Sequence, residues 1–216
     1  MRRAIASLLL LAGLAAASTA PVAEPLTRKQ ALTALKDRDP AVRRAAVTRL
    51  GEVGTMADVS ALVEDLHDAD QGVRGTAEDA IEKVWGKSGD EMIDALYRRG
   101  VEQMDDGDTD DAIATFSLII SKKPDFAESW NKRATLYYLI GDYEKSLRDC
   151  GEVIKRNPLH FGALAGYGLI YMKLDQPERA LEYFRRAFAI NPNLDDVAAH
   201  IRALERLIDE KQQRYI

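Results

Sequence analysis

One cysteine in 216 residues leaves no internal disulfide framework and no Cys-rich zinc site. Histidine is scarce as well. His67, His160 and His200 stand apart, with no His-Glu-x-x-His and no second ligand at helical spacing. Seven prolines and 14 glycines are too few for a collagen-like or Pro-rich chain. Basic residues are the minority, 30 Lys and Arg against 35 Asp and Glu, so the formal charge is −5. No basic face is ready to displace counterions, which excludes a general nucleic-acid binder. The apolar run Ala4 to Ala17, interrupted only by Ser7, is about 14 residues long, short of the roughly 20 that span a bilayer. What is present, 46% apolar and 30% charged residues, is neither a disordered nor a multi-span membrane composition.

The order of the first residues reads as an address. Met1-Arg2-Arg3 is basic, Ala4 to Ala17 is apolar, and small residues run on to Ala20. That is the layout of a secretory signal peptide over 1–20, cleaved after Ala17 or Ala20. The expectation is a periplasmic or secreted protein with no stable membrane anchor after cleavage. Loss of Arg2 and Arg3 leaves 28 basic against 35 acidic residues. Cys150, with no internal partner, is compatible with an oxidising compartment.

Two internal periods follow. In the first, Asp39-Pro40-Ala41-Val42-Arg43 aligns with Asp70-Gln71-Gly72-Val73-Arg74 at a spacing of 31, and Ala46 and Leu50 align with Ala77 and Ile81. Each Asp stands where it can cap a helix, and Pro40 suits a first helical position. Helices are expected over Leu26–Leu35 and Val59–Leu66 as the partners of these two. Asp-x-x-Val-Arg in paired helices resembles HEAT repeats, over roughly Leu26 to Trp85.

From Asp94 the period is 34. Leu96, Trp130 and Leu164 recur four residues before Gly100, Ala134 and Gly168; Ala112, Ser146 and Ala180 form a second small column. Phe116, Cys150 and Phe184 follow, and Pro124, Pro158 and Pro192 close the units. This pattern resembles three tetratricopeptide repeats, at about 93–126, 127–160 and 161–194. The whole is an all-α helical-repeat solenoid: 21–90 HEAT-like hairpins, 91–194 the three units, and 195–216 a capping helix and tail. The cap carries Val197, Ile201, Leu204 and Ile208 on one stripe. The N-terminal hairpins are placed to close the opposite end. Fourteen of fifteen aromatic residues lie from Tyr97 on, leaving only Trp85 before it. Gly86-Lys87-Ser88-Gly89-Asp90 between the blocks is too short for a free tether, so the two stacks should pack directly.

Chemical motifs fail on inspection. Gly86-Lys87-Ser88 lacks the Gly five residues earlier (Ile81 stands there) and the strand that a phosphate loop needs. Asp106-x-Asp108-x-Asp110 is half a calcium loop, but Asp111 occupies the Gly position and Ser117 the closing Glu position. It reads as a turn with acidic groups near the next helix N-terminus. No Ser, Cys or Asp has a nucleophile context, so neither catalysis nor a cofactor is expected. Cys150, in a Phe column, reads as a buried hydrophobe.

In tetratricopeptide stacks the first helix of each pair lines a concave groove that receives a peptide or helix. By register the resemblance implies a groove of Tyr97, Val101, Met104, Asn131, Thr135, Tyr138, Ala165, Leu169 and Met172, with Lys132 beside it. Val101 and Leu169 are equally readable as inter-repeat core. In the subtype that clamps a chaperone's terminal carboxylate, the matching positions here are Tyr97, Val101, Lys132, Gly162 and Gly166. Only Lys132 is suitable. Gly162, Gly166 and Gly168 in one helix point to a shallow pocket beside Asn131 and Tyr138. The expected function is binding a protein or peptide partner as an exported scaffold or adaptor. The alternatives are an accessory subunit of a cell-envelope enzyme and a calcium- or small-ligand-binding module.

Overall fold

A computed structural model describes residues 24–213, so the expected signal peptide lies outside the described residues. Among the described residues every regular element is helical. The order is α1 (Arg28–Ala34), α2 (Pro40–Val53), α3 (Val59–Asp65, after a 3-10 turn at Met56–Asp58), α4 (Gln71–Trp85), α5 (Glu91–Asp105), α6 (Thr109–Lys122), α7 (Ala127–Leu139), α8 (Tyr143–Arg156), α9 (Phe161–Lys173), α10 (Pro177–Ile190) and α11 (Asp195–Gln213). Starts are set by caps. Asp39 accepts from the Ala41 N–H and Asp70 from the Val73 N–H, as the 31-residue alignment requires. Thr27 forms a capping box with Gln30. For that reason α1 begins two residues later than the apolar pattern suggests.

The repeated arginine explains how the first two hairpins join. Arg43 makes two 2.7 Å hydrogen bonds to the Asp68 carboxylate and reaches the carbonyls of Asp37 and Arg38. It thereby ties its own turn to the next one. Arg74, one period later, donates to the Asp68 carbonyl at 2.9 Å, but its forward partner is Asn193, 2.9 Å away in the turn before α11. The last inter-repeat turn takes the place of a third hairpin. Val73 is fully buried, whereas its counterpart Val42 in the outer hairpin is exposed. The shared sequence position is core only where another layer covers it.

In the 34-residue units, helix pairs approach at the small-residue column. A Cβ at Gly100 would lie 2.9 Å from the Phe116 ring, and one at Gly168 would lie 2.5 Å from Phe184. The absent side chain is the space the ring occupies. Ser146 replaces Ala in the second small column and satisfies its hydroxyl by donating to the Ala134 carbonyl at 2.7 Å. Gly107 and Gly141 turn each pair with φ of 83° and 80°; Asp175 fills the third such position at φ 53°. On α11, Val197 and Leu204 are buried against α10, while Arg202, Arg206, Asp209 and Glu210 face water.

The first two hairpins do not simply close the open end of the stack, as the sequence reading places them. Instead α4 lies across the inter-repeat turns. Near its start, Arg74 meets Asn193, whose amide donates to the Leu66 carbonyl at 2.8 Å. At its end, Trp85 stacks on His160 and packs against Phe161. Leu159, Ile190 and Leu194 join the core of the first two hairpins. The physical reason is the apolar side that α4 leaves after covering α2 and α3, which Phe161 and the turn residues Leu159, Ile190 and Leu194 cover.

Two outcomes test these contacts. Gly168→Ala should destabilise the protein by about 1–3 kcal/mol, read from the urea midpoint, because neither α10 nor the Phe184 ring can move aside cheaply. The second concerns Asp65, whose Oδ2 accepts no hydrogen bond among the described residues. Burial, then the charges of Asp68 and Glu64, push its carboxyl up to about 7, with Arg43 opposing. A raised carboxyl favours folding while it is protonated. That contribution is full below the unfolded-state value near 4 and is lost as pH rises through about 7. At pH 8, Asp65→Asn should therefore be more stable than the parent by about 1 kcal/mol after solvent screening. By pH 5 urea melts should show the gap shrinking.

Candidate partner-binding groove and its supporting seam

The first helices of the three units, α5, α7 and α9, carry the residues expected to face the inner curve. Asn131, Thr135, Tyr138, Ala165 and Leu169 come together around a cavity of about 160 Å³ between α7, α8 and α9. Gly162 and Gly166 form part of its wall, as does Cys150. Gly168, grouped with them in the sequence reading, does not: it serves the Phe184 contact. Tyr138 packs against Tyr143, with ring centroids 5.8 Å apart. Thr135 donates to the Asn131 carbonyl at 3.1 Å.

The remaining expected groove residues separate by environment. Val101 and Met104 pack against the cluster around Phe116, so they act mainly in the seam between units. Met172 is exposed. Tyr97 sets its ring edge against Phe116 and Phe126, and burial, then the nearby Glu128 and Glu82 charges, raise its phenol well above the usual range. Lys132, the one clamp-compatible residue, has its ammonium 3.5 Å from Glu128. Its charge is matched within the protein.

Cys150 is buried, and desolvation, then the Asp149 charge, push its thiol up to about 12. A thiol held protonated is no nucleophile. Arg133 bridges three helices here, donating to Asp149 at 2.7 and 2.9 Å from α7 to α8, and to Ser117 of α6 at 2.9 Å. This fixes the α7–α8 pair that walls the cavity.

The two stacks pack directly, as the short Gly86–Asp90 connection suggests, but the side chains that form the seam between α4 and the repeats are what sequence reasoning missed. His160 caps α9 by accepting from the Ala163 N–H at Nδ1, so its proton sits on Nε2, which donates to Glu128 at 2.8 Å. Asn131 donates to the other oxygen of Glu128 at 3.1 Å. Burial alone would raise this carboxyl. The His160 hydrogen bond, with Lys132 and Asn131, holds it below the usual range instead. Trp85 stacks on the imidazole, ring centroids 4.0 Å apart and planes inclined by 14°. The only trace in the sequence is that the sole aromatic residue of the first block stands at its last helical turn.

A second cleft, of about 560 Å³, lies between the end of α4 and the inner curve, lined by Asp79, Glu82, Tyr97, Asn131 and Lys132 among others. The end of α4 is thus one wall of the groove. Trp85→Ala should cost about 3–5 kcal/mol and split one unfolding transition into two, with circular dichroism and Trp130 fluorescence no longer coincident. A single coincident transition would mean the seam does not couple the blocks.

Comparison with known proteins agrees with this architecture. Residues 5–82 match HEAT repeats, while 97–150 and 161–194 match tetratricopeptide repeats. A TPR repeat-containing protein of Rhizobium etli is 34% identical over 108 residues, covering 50% of this chain and 53% of the relative. The chain thus spans about half the length of that relative, and it spans 35% of a small glutamine-rich tetratricopeptide repeat-containing protein of Dictyostelium discoideum. Among solved structures, the first TPR of Spaghetti (RPAP3), bound to the HSP90 peptide SRMEEVD, superposes with a TM-score of 0.52 at 19% identity over 54% of this chain and 93% of that one. MamA gives 0.51 at 21% over 74% and 90%. On sequence and fold together, this chain carries HEAT-like repeats leading into tetratricopeptide repeats.

Proposed function

We propose that the chain is an exported interaction scaffold that docks an extended peptide or helix of a partner protein along the inner curve of α5, α7 and α9, and that it binds rather than catalyses. The observation that carries this reading is the cavity at the middle of that curve, where two glycines let a partner's backbone approach. The export half rests on the basic-apolar-small order of Met1 to Ala20.

The partner differs in charge from the acidic peptide held by the superposed neighbour. Lys132 is already paired with Glu128, Gly162 and Gly166 stand at two other clamp positions, and on the α4 wall Asp79 and Glu82 outnumber Lys83. An acidic tail entering here meets like charge without a converging set of cations. A neutral or basic segment fits better.

Gly166→Leu places an isobutyl group in the cavity from a position where a Cβ meets only the Cys150 sulfur, at 3.6 Å. The variant should fold, with a melting temperature within a few degrees of the parent. A photoreactive residue at position 138 should capture a discrete envelope protein in the parent and at least tenfold less of it in the variant. Undiminished capture by the folded variant would sink the groove reading.

A further inference from the structure

The three 34-residue units are not filled alike, and the difference falls at one seam. In the first unit Gly100 faces Phe116. In the third Gly168 faces Phe184, whose ring then stacks on His200 of α11, centroids 5.0 Å apart at 14°. His200 stands 34 residues after Gly166. At the middle seam both members are therefore small: Cys150 replaces the ring, and Gly166 replaces the side chain that the ring would stack on. The companion position compensates in only one direction. Ala134 adds a methyl where Gly100 and Gly168 have none, far less than a benzyl group. What is missing is about one aromatic side chain, and the cavity of about 160 Å³ lies where it is missing, bounded by Ala134, Cys150 and Gly166. An apolar cavity of roughly 150 Å³ holds one benzene-sized molecule.

We propose that this cavity receives a single phenylalanine ring of the docked partner segment, completing the middle unit as Phe116 and Phe184 complete the others; the inference rests on the groove reading above and names the anchor it takes. The lining suits a ring. Ile170 and Leu169 bound it on α9, and Gly162 and Gly166 leave the backbone of α9 open to a flat face. At the mouth, the Tyr138 hydroxyl and the Asn131 Oδ1 make no hydrogen bond with another described residue and can serve the backbone on either side of the anchor. Cys150 takes part as shape only. Its protonated, buried thiol makes room for the ring and does not react with it.

The test uses the full chain, 15N-labelled, titrated with acetyl-phenylalaninamide and in parallel with acetyl-leucinamide. The Phe probe should shift the amide resonances of Cys150, Gly162 and Gly166, with a Kd roughly threefold or more below that of the Leu probe, as aromatic contact beyond simple area implies. Ala134→Gly/Cys150→Phe restores the arrangement of the other units, so its own ring should fill the space. It should stay folded and lose those shifts. Gly166→Leu fills the same space from the other side and serves if the double variant does not fold. No shift at these resonances in the parent, leucine bound as well as phenylalanine, or shifts persisting in a folded filled variant would each overturn the proposal. Partner capture from position 138, read on the same samples, separates the two readings. Capture that survives a filled cavity removes the groove reading and the anchor with it; capture lost in the filled variants while leucine binds as well as phenylalanine keeps the groove and removes the anchor; and positive probe shifts without any capture keep the ring site and remove the docking role.

Discussion

Close approach of paired helices at one small-residue column is the constraint on which the rest of the molecule depends. At Gly100 and Gly168 the neighbouring ring stands where a Cβ would be, so a whole unit's geometry is set by the absence of one methyl. Three units in register then expose an inner face with a fixed repeat, and the terminal helix α11 covers the last apolar side. The same constraint makes the middle unit distinct. With Ala134 and Cys150 at the contact, the helices keep their spacing because neighbours on both sides impose it, and the volume is left unfilled.

A second dependence runs through α4. Arg74 and Asn193 at one end, and Trp85, His160 and Glu128 at the other, attach this helix to two different inter-repeat turns. The chemistry at the Trp85 end is economical. One imidazole caps α9, neutralises the hydrogen-bonding demand of a buried carboxylate, and offers a flat face to an indole. A buried carboxylate with three donors around it is tolerable where an unpaired one is not, and Asp65 in the same chain shows the contrast.

Much of the fold was readable in advance because its determinants are periodic. The 31- and 34-residue spacings, the capping Asp39 and Asp70, and the Pro-closed turns each act locally and leave a local mark. The pocket beside Asn131 and Tyr138 was visible for a related reason: glycine in a helix interior has no local justification, so Gly162 and Gly166 pointed to a tertiary one. Gly168 was grouped with them because sequence cannot distinguish glycine that admits an internal ring from glycine that leaves space. What stayed hidden was pairing across long separations. Nothing in the vicinity of His160 announces that Trp85 will cover it, and Arg74 carries the same motif as Arg43 although its partner is over a hundred residues away. The position of α4 across the turns was hidden for the same reason, since repeat spacing describes how a unit meets its neighbour and not how a stack folds back on itself.

Helix α4 also bears on how the repeats move. A solenoid held only by nearest-neighbour faces behaves as a spring, opening and closing its curve at small cost because no contact spans more than one step. Here a rigid rod is fastened at two successive turns, by an arginine at one end and an indole at the other. The pitch between those turns is clamped, so a chain docking as proposed would meet a curve whose breadth is already decided and would spend little of its contact energy on bending the host.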